Sequence, residues 1–139
     1  MNVKEIMTTN VVTCGPNETL MQVAQKMQSM DVGSCPVVSQ DNLVGIITDR
    51  DITVRAISKG FDPANTYVNE IMSKDPIFGS QNMSVEDACA LMQDNQIRRL
   101  PIVDKGKLVG IVTLADLAID LEEDEMVAET LEKVSMPTY

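Results

Sequence analysis

The hydrophobic positions of the chain alternate between patterns typical of buried strands and patterns typical of amphipathic helices. Leu43–Ile47 is a short apolar, partly β-branched run, and Thr48-x-x-Asp51 follows it with the spacing of a capping box at a helix start. Leu108–Asp116 repeats this arrangement 65 residues later, counted from position 43 to position 108. Each copy therefore predicts a strand, a tight turn and a helix.

A longer amphipathic helix is predicted ahead of each strand pair. Thr19 and Gln22 form a predicted capping box at the start of the first helix, and Ser84 and Asp87 cap the second. Methionine at helical spacing is more often core filling than a binding surface, so the methionines are assigned to the core. The predicted core positions are Leu20, Val23, Ala24, Met27 and Met30 in the first helix and Val85, Ala88, Cys89 and Met92 in the second.

Short extended segments complete each copy. Val11–Thr13 and Pro76–Phe78 are predicted as short strands that end in turn residues. Pro36–Val38 and Pro101–Val103 are proline-led apolar strands, each followed by a polar turn. They predict hairpins with the Leu-Val-Gly strands that come next.

The two copies form a tandem repeat, because the pattern Val-x-Glu-Ile-Met at Val3–Met7 returns at Val68–Met72. Each copy runs strand, helix, strand, strand, helix. A single unit of about 60 residues buries a marginal core, so we expect the copies to pack into one domain with pseudo-twofold symmetry and two equivalent clefts. The predicted boundaries are 1–59 for the first repeat, 60–67 for a linker, 68–121 for the second repeat and 122–139 for a C-terminal tail.

The tail begins with an acidic run at residues 122–125 and continues with the spacing of a weak amphipathic helix. A solvated terminal helix is the simpler expectation. Alternatively, the helix braces a dimer, because its apolar stripe needs a partner to cover it.

The overall composition narrows the function classes. A chain of 139 residues that is 44% hydrophobic is large enough to fold around a core without disulfide staples. It has no apolar run near the roughly 18 residues of a membrane span and no signal-peptide core, so a cytoplasmic location is expected. A net charge of −10 opposes nucleic-acid and anionic-membrane partners, but it is compatible with a small anion in a locally basic pocket.

The residues on which most enzymes and metal sites rely are missing or scattered. The chain contains no histidine, and Cys14, Cys35 and Cys89 lie in unlike contexts without a CxxC pair. These facts argue against a disulfide framework, a zinc site and a histidine-based triad. We therefore predict no enzyme, no catalytic residue, no metal and no cofactor. A cysteine thiolate or paired carboxylates would be the enzyme alternative.

The duplicated Thr-x-x-Asp motif predicts a ribonucleotide ligand. A helix N-terminus offers backbone N–H groups and a partial positive charge, and the threonine hydroxyl can bond a phosphate oxygen. Asp51 or Asp116, one turn on, can accept hydrogen bonds from both hydroxyls of a ribose. Glycine three residues before each threonine lets a ligand or a neighbouring backbone approach closely. The alternative is that both motifs only cap helices.

Leu43–Asp51 and Ile97–Asp104, within a repeat that opens Val-x-Glu-Ile-Met, resemble the CBS domain pair, or Bateman module. The resemblance covers residues 3 to about 121. It implies an α+β fold of mixed three-stranded sheets with helices, and a disc-like homodimer of two pairs. It also implies an adenosine-containing ligand such as AMP, ADP, ATP or S-adenosylmethionine.

The resemblance further implies two ligand sites, each combining the Thr-x-x-Asp of one repeat with the first strand and the pre-proline residues of the other. Site one would consist of Thr48, Asp49, Asp51, Ile77, Phe78, Arg98, Arg99 and Pro101. Site two would consist of Thr113, Asp116, Val12, Thr13, Gly33, Ser34 and Pro36.

The two predicted sites differ in charge. Arg98 and Arg99 give site one fixed positive charge, whereas the matching Gly33 and Ser34 give site two none. Site one is therefore expected to prefer the more phosphorylated ligand, and site two either to bind an adenosyl group weakly or to stay empty. Arg98 replaces a histidine that is frequent in the family, so Arg99 is the stronger candidate. Alternatively, the two arginines form surface ion pairs with the many carboxylates.

These features favour a regulatory module that senses adenosine-containing ligands and signals through a conformational or dimer change, with or without a separate protein effector. The alternative is a protein-interaction scaffold whose nucleotide sites are vestigial.

Overall fold

The protein is described by a computed structural model that covers residues 1–120 and 124–136. Its contacts divide into two compact units, each with its own hydrophobic core. The central unit comprises residues 12–76, and the terminal unit comprises residues 1–11 with the described residues from 77 onward. The central unit therefore includes the helical turn that opens the second repeat, and the terminal unit includes the helical turn that opens the first repeat.

The central unit is built on an antiparallel hairpin. Gln40 and Asp41, the two residues of its turn, both have positive φ (52° and 68°), the geometry of a type I′ turn that suits the twist of paired strands. The predicted hairpin is thus confirmed. The elements are α1 (Leu20–Met30), β1 (Ser34–Ser39), β2 (Asn42–Thr48), α2 (Asp49–Asp51), a π-helical turn (Ile52–Ala56), a 3-10 turn (Ile57–Lys59), α3 (Val68–Ile71) and β3 (Ser73–Lys74), which pairs antiparallel with β2.

The terminal unit repeats the hairpin and adds a helix at its end. Its two-residue turn is Lys105-Gly106, again with both φ values positive. The elements are a 3-10 turn (Val3–Glu5), α4 (Val85–Asn95), β4 (Arg99–Asp104), β5 (Lys107–Thr113), α5 (Leu114–Asp120) and α6 (Asp124–Val134).

The predicted helix caps are present. Thr19 Oγ1 accepts the N–H of Gln22 at 3.2 Å, and Gln22 Oε1 accepts the N–H of Thr19 at 2.8 Å. Ser84 Oγ accepts the N–H of Asp87 at 3.0 Å. These bonds satisfy first-turn donors that have no partner within a helix, and so they fix where α1 and α4 begin.

The predicted core positions are confirmed for α4 and partly wrong for α1. In α1 the buried stripe is narrower than predicted, because Ala24 lies at its edge and is exposed. Met30 is 55% exposed, since α1 ends there and Asp31 turns the chain in the left-handed conformation. The residues of these two helices that are buried are Leu20, Val23 and Met27 in α1 and Val85, Ala88, Cys89 and Met92 in α4.

The short strands predicted at Val11–Thr13 and Pro76–Phe78 are not formed. Only one residue after each segment bridges to a strand, Cys14 to β1 and Gly79 to β4. The carbonyl of Thr13 accepts a bond from Lys26 Nζ at 2.8 Å, and Pro76 in the second segment has no N–H to donate to a ladder.

The opening segment of each repeat is the Val-x-Glu-Ile-Met stretch with the residue after it, residues 3–8 and 68–73. Gly45 marks the place where the opening segment of the second repeat packs on the hairpin of the central unit. A Cβ added there would lie 2.6 Å from Met72 Sδ and 2.8 Å from the carbonyl oxygen of Ser73. At Gly110 of the terminal unit, the same atoms belong to Met7 and Thr8. The glycine of each Leu-Val-Gly strand therefore admits a neighbouring segment of the chain.

The C-terminal helix α6 packs on α4 and α5 instead of standing in solvent, contrary to the simpler expectation. Thr130 is fully buried, where it accepts a bond from Gln93 Nε2 at 2.9 Å and donates to the carbonyl of Met126 at 2.8 Å. Val134 joins the core of the terminal unit. Part of the acidic run predicted at 122–125 lies outside the described residues, as do residues 121 and 137–139.

Candidate functional site

Thr48 and Asp51 lock the start of the helical segment that follows β2. Thr48 Oγ1 accepts the N–H of Asp51 at 3.0 Å, and Asp51 Oδ2 accepts the N–H of Thr48 at 2.9 Å. The threonine hydroxyl keeps its own hydrogen to donate, and the carboxylate keeps further lone pairs. The capping box therefore leaves both side chains able to bind a phosphate or a ribose.

The backbone donors of this first turn are already engaged, unlike the free N–H groups that the motif suggested. The N–H of Asp49 donates to the carbonyl of Gly33 at 2.9 Å, and the N–H of Arg50 donates to Asp49 Oδ1 at 2.8 Å. The N–H of Asp51 donates to Thr48 Oγ1. Phosphate binding here must rely on side chains.

The pre-proline residues of the first repeat lie beside this motif. Ser34 pairs with Thr48 across the hairpin, and Gly33 contacts Asp49 closely enough that an added Cβ would lie 3.0 Å from Asp49 Oδ2. Pro36 lies two residues further along β1, and its carbonyl accepts the N–H of Cys14 at 3.1 Å. Cys14 follows Val12 and Thr13 directly, so those two predicted residues adjoin the same hairpin.

An open groove of about 350 Å³ runs along the start of the helical segment that follows β2 in the central unit. Asp49, Arg50, Thr53 and Val54 line it. Three of these residues were not predicted as site residues, although positions 49, 50, 53 and 54 form one face of a helix and so could have been found by their spacing.

Asp51 also has a cationic neighbour that sequence reasoning missed. Arg55 Nε lies 3.8 Å from Asp51 Oδ1, and Arg55 Nη1 donates to the carbonyl of Ile71 at 3.0 Å. The arginine thus ties the carboxylate to the opening segment of the second repeat. Its signal in the sequence is the spacing of four residues between an acid and a base.

The terminal unit carries a second capping box. Thr113 Oγ1 accepts the N–H of Asp116 at 3.1 Å, and Asp116 Oδ2 accepts the N–H of Thr113 at 3.0 Å. The N–H of Leu114 donates to the carbonyl of Arg98 at 3.2 Å. The N–H of Ala115 has no partner within residues 1–120 and 124–136, so this unit retains one free first-turn donor.

Thr8 is a further residue that sequence reasoning missed. Its hydroxyl donates to the carboxylate of Asp116. The available signal was a hydroxyl residue directly after Val-x-Glu-Ile-Met in both copies, Thr8 in the first and Ser73 in the second.

Arg98 and Arg99 occupy different environments at the start of β4. Arg99 pairs with Thr113 across the hairpin, and its exposed side chain has no bonding partner among the residues that the structure describes. Arg98 Nη2 donates to Ser135 Oγ at 3.3 Å, at the end of α6. Neither arginine forms an ion pair within the described part of the chain, so the guanidinium of Arg99 is the one free to donate hydrogen bonds to an anion.

Ile77 and Phe78 present apolar surface beside the same hairpin. Their side chains are 40% and 56% exposed. The next residue, Gly79, donates its N–H to the carbonyl of Pro101 at 2.9 Å, which holds the segment against β4. Exposed apolar side chains of this kind suit the flat face of a base.

Each unit gathers one part of predicted site one and one part of predicted site two. The central unit holds Thr48, Asp49 and Asp51 of site one with Val12, Thr13, Gly33, Ser34 and Pro36 of site two. The terminal unit holds Thr113 and Asp116 of site two with Ile77, Phe78, Arg98, Arg99 and Pro101 of site one. The grouping of these halves into two ligand sites stays a prediction.

The three cysteines are buried free thiols. The neighbouring Cys35 thiol and burial raise the pKa of Cys14, and burial raises the pKa of Cys89. In the described ranges no three side chains of the metal-binding types lie together, and no helix has the length and apolar character to cross a membrane.

The family model of the CBS domain matches the chain twice, at residues 3–57 and 68–123. The chain belongs to the CBS domain family. The CBS domain-containing protein YhcV of Bacillus subtilis is 47% identical over 96% of this chain and 95% of its own length. The resemblance implied by the motifs is thereby confirmed, as is the mixed α and β fold of two CBS repeats.

Two solved CBS structures bear on ligands. The crystal structure of Hypoxic Response Protein I with two coordinated zinc ions has a TM-score of 0.80 and 34% identity, covering 87% of this chain and 99% of that one. The crystal structure of CBSX2 in complex with AMP has a TM-score of 0.75 and 26% identity, covering 85% and 93%. CBS domains form a regulatory family, and one of these relatives binds AMP.

Proposed function

We propose that this CBS pair is a regulatory module that binds an adenosine-containing nucleotide. The observation that carries the proposal is the capping box that each unit presents. In both, an oriented threonine hydroxyl and a half-buried carboxylate keep bonding capacity beyond the cap. These groups match a phosphate and the vicinal hydroxyls of a ribose. The AMP held by CBSX2 supports an adenylate as the ligand.

The proposed site one joins Thr48, Asp49 and Asp51 with Arg99, following the family pattern. Because the first-turn N–H groups beside Thr48 are engaged, an arginine is needed to neutralise phosphate charge. Arg98 would contribute only after leaving Ser135. Proposed site two joins Thr113 and Asp116 with the pre-proline residues of the first repeat and lacks such a cation, so it would take a less phosphorylated adenosyl compound.

A thermal-shift panel tests the proposal. The native protein is heated with AMP, ADP, ATP, NADH, S-adenosylmethionine and cyclic di-AMP. A ligand at a hundred times its Kd stabilises the folded state by about 2.7 kcal/mol, which raises the midpoint of a chain of this size by roughly 5–10 °C. We expect that shift from at least one adenosyl compound. A flat response to all six compounds would contradict the nucleotide proposal.

A scaffold is the second candidate, and one observation favours it. Both Thr-x-x-Asp motifs are complete helix caps without any ligand, so capping alone accounts for the residue pattern. A scaffold would be indifferent to nucleotides and retain its protein partner when Asp51 and Asp116 are both replaced. Enzymatic turnover is not proposed, since the chain contains no histidine, the side chain that most often serves as a general base. A sensor of cellular adenylate would work in the cytoplasm.

We also propose a homodimer, which exposed apolar residues in and just after the helical segment that follows β2 support. Val54, Ile57 and Phe61 are each about half exposed, an apolar surface that a second copy would cover. Ile57→Asp is expected to convert a dimer, twice the 15.2 kDa chain mass, into a monomer in sedimentation velocity. Met30→Asp, which charges an exposed apolar residue on α1, should leave the dimer intact. A monomeric native protein would contradict the proposal.

A further inference from the structure

Thr8 reaches the carboxylate of Asp116 from the opening segment of the chain. Its Oγ1 lies 3.2 Å from Oδ1 and 3.3 Å from Oδ2 of Asp116. A hydroxyl has one hydrogen to donate, so the two carboxylate oxygens share it. Asp116 Oδ2 also accepts the N–H of Thr113 at 3.0 Å. Two groups of the terminal unit therefore hold this carboxylate.

The backbone of Thr8 is fixed to the strand that leads into the motif. Thr8 N–H donates to the carbonyl of Ile111, and the N–H of Ile111 donates to the carbonyl of Thr8, both at 2.9 Å. Ile111 lies on β5, two residues before Thr113. The hydroxyl of Thr8 is thus held in a defined position relative to the start of α5.

The carboxylate of Asp116 can still accept hydrogen bonds from a ligand when these bonds are formed. A carboxylate offers about four lone-pair positions. The N–H of Thr113 uses one of them, and the single hydrogen of Thr8 is spread over the two oxygens. The distances of 3.2 and 3.3 Å exceed the usual O–H···O length of about 2.8 Å, so Thr8 restrains the carboxylate without saturating it.

The central unit restrains its carboxylate differently. Asp51 is faced by Arg55 at 3.8 Å, four residues later in the chain. The matching position after Asp116 is Asp120, an acid that cannot form an ion pair with it. Thr8 therefore supplies at Asp116 the restraint that a cation supplies at Asp51.

We propose that Thr8 is a positioning residue for Asp116 that orients the carboxylate toward the two hydroxyls of a ribose. This inference rests on the proposed function, because it assumes that Asp116 receives the sugar. A carboxylate held in one orientation presents both oxygens to a vicinal diol without a loss of rotational freedom on binding. Selectivity for ribose over 2′-deoxyribose is then partly a property of Thr8.

The test uses the full chain with Asp51→Ala, so that binding reports Asp116. Isothermal titration with AMP and with 2′-deoxy-AMP is compared for Thr8→Val and Thr8→Ser in that background. Thr8→Val should weaken AMP binding by about three- to tenfold, the range of one hydrogen bond. It should weaken 2′-deoxy-AMP binding less, so the ratio of the two affinities falls. Thr8→Ser, which keeps the hydroxyl, should restore AMP binding to within about twofold.

Control measurements separate this role from a structural one and from the proposed function. Thr8 is exposed, so Thr8→Val should unfold at the same temperature as its parent. Ser73→Ala, at the repeat-related position, should leave AMP binding unchanged in an Asp116→Ala background. If Thr8→Val binds each of the two nucleotides with the same affinity as its parent, the role of Thr8 is overturned and the proposed function is not. No AMP binding by the Asp51→Ala parent would overturn this inference, because Asp116 would then receive no AMP ribose. A thermal shift of the native protein by another adenosyl compound would still support the proposed function.

Discussion

Asp51→Ala is expected to raise the Kd of the nucleotide identified in the thermal-shift panel by about ten- to hundredfold. A hydrogen bond to a charged carboxylate contributes about 1.5–3 kcal/mol, and the net loss of one such bond corresponds to this range of affinity. Truncation also removes Asp51 Oδ2 as the acceptor for the N–H of Thr48. Titration calorimetry on protein that circular dichroism shows to be folded measures the affinity directly.

Two further variants separate the ribose bond from the helix cap. Asp51→Asn keeps an oxygen that can accept the N–H of Thr48, so it should lose most of the affinity with little loss of stability. Asp94→Ala, which removes an exposed carboxylate of α4, should bind like the native protein. Site one is proposed as the better-charged site, so a smaller effect at Asp51 than at Asp116 would contradict that ranking.

The local pattern of the chain was enough to predict most of its elements. Capping residues act over three or four positions, so a helix start can be predicted without knowledge of the rest of the fold. The helix starts predicted in this way are those at Thr19, Thr48, Ser84 and Thr113. The hairpins follow in the same way from a short polar turn between apolar runs. The prediction failed for the short strands at Val11–Thr13 and Pro76–Phe78, which are not formed. The carbonyl of Thr13 instead accepts a bond from Lys26 Nζ, a contact with a residue 13 positions later in the chain.

The local sequence pattern predicts only part of what restrains the two carboxylates. Arg55 meets Asp51 through a helical spacing, but its other bond goes to Ile71, sixteen residues later. Thr8 meets Asp116 across 108 residues of sequence. Both contacts depend on an opening segment packing with the hairpin of the other repeat, which only the tertiary structure shows.

The engaged backbone donors change the expected chemistry of phosphate binding. A helix N-terminus attracts anions through N–H groups that lack partners. In the central unit Gly33, Asp49 and Thr48 take the three N–H groups at residues 49–51. Positive charge for a polyphosphate would then have to come from side chains, and in the proposed site one Arg99 is the candidate.

Gly45→Ala is expected to destabilise the protein by about 2–3 kcal/mol, lowering the thermal midpoint by roughly 10 °C. The added Cβ would lie 2.8 Å from the carbonyl oxygen of Ser73, a backbone atom that moves only with β3, and 2.6 Å from Met72 Sδ. Gly110→Ala should cost less, since the corresponding backbone oxygen, that of Thr8, is 3.0 Å away. Differential scanning calorimetry of the three proteins checks both values.

Gly15→Ala provides the matched control, because a Cβ there would meet only Glu18 Oε2, at an ordinary 3.8 Å. It should change stability by no more than about 0.5 kcal/mol, as surface substitutions usually do. If Gly45→Ala unfolded at the same temperature as Gly15→Ala, the segment at Met72 and Ser73 would not lie against β2. If it is the less stable variant, the glycine of the Leu-Val-Gly strand serves chain packing, and Thr48 and Asp51 are the part of the motif left for a ligand.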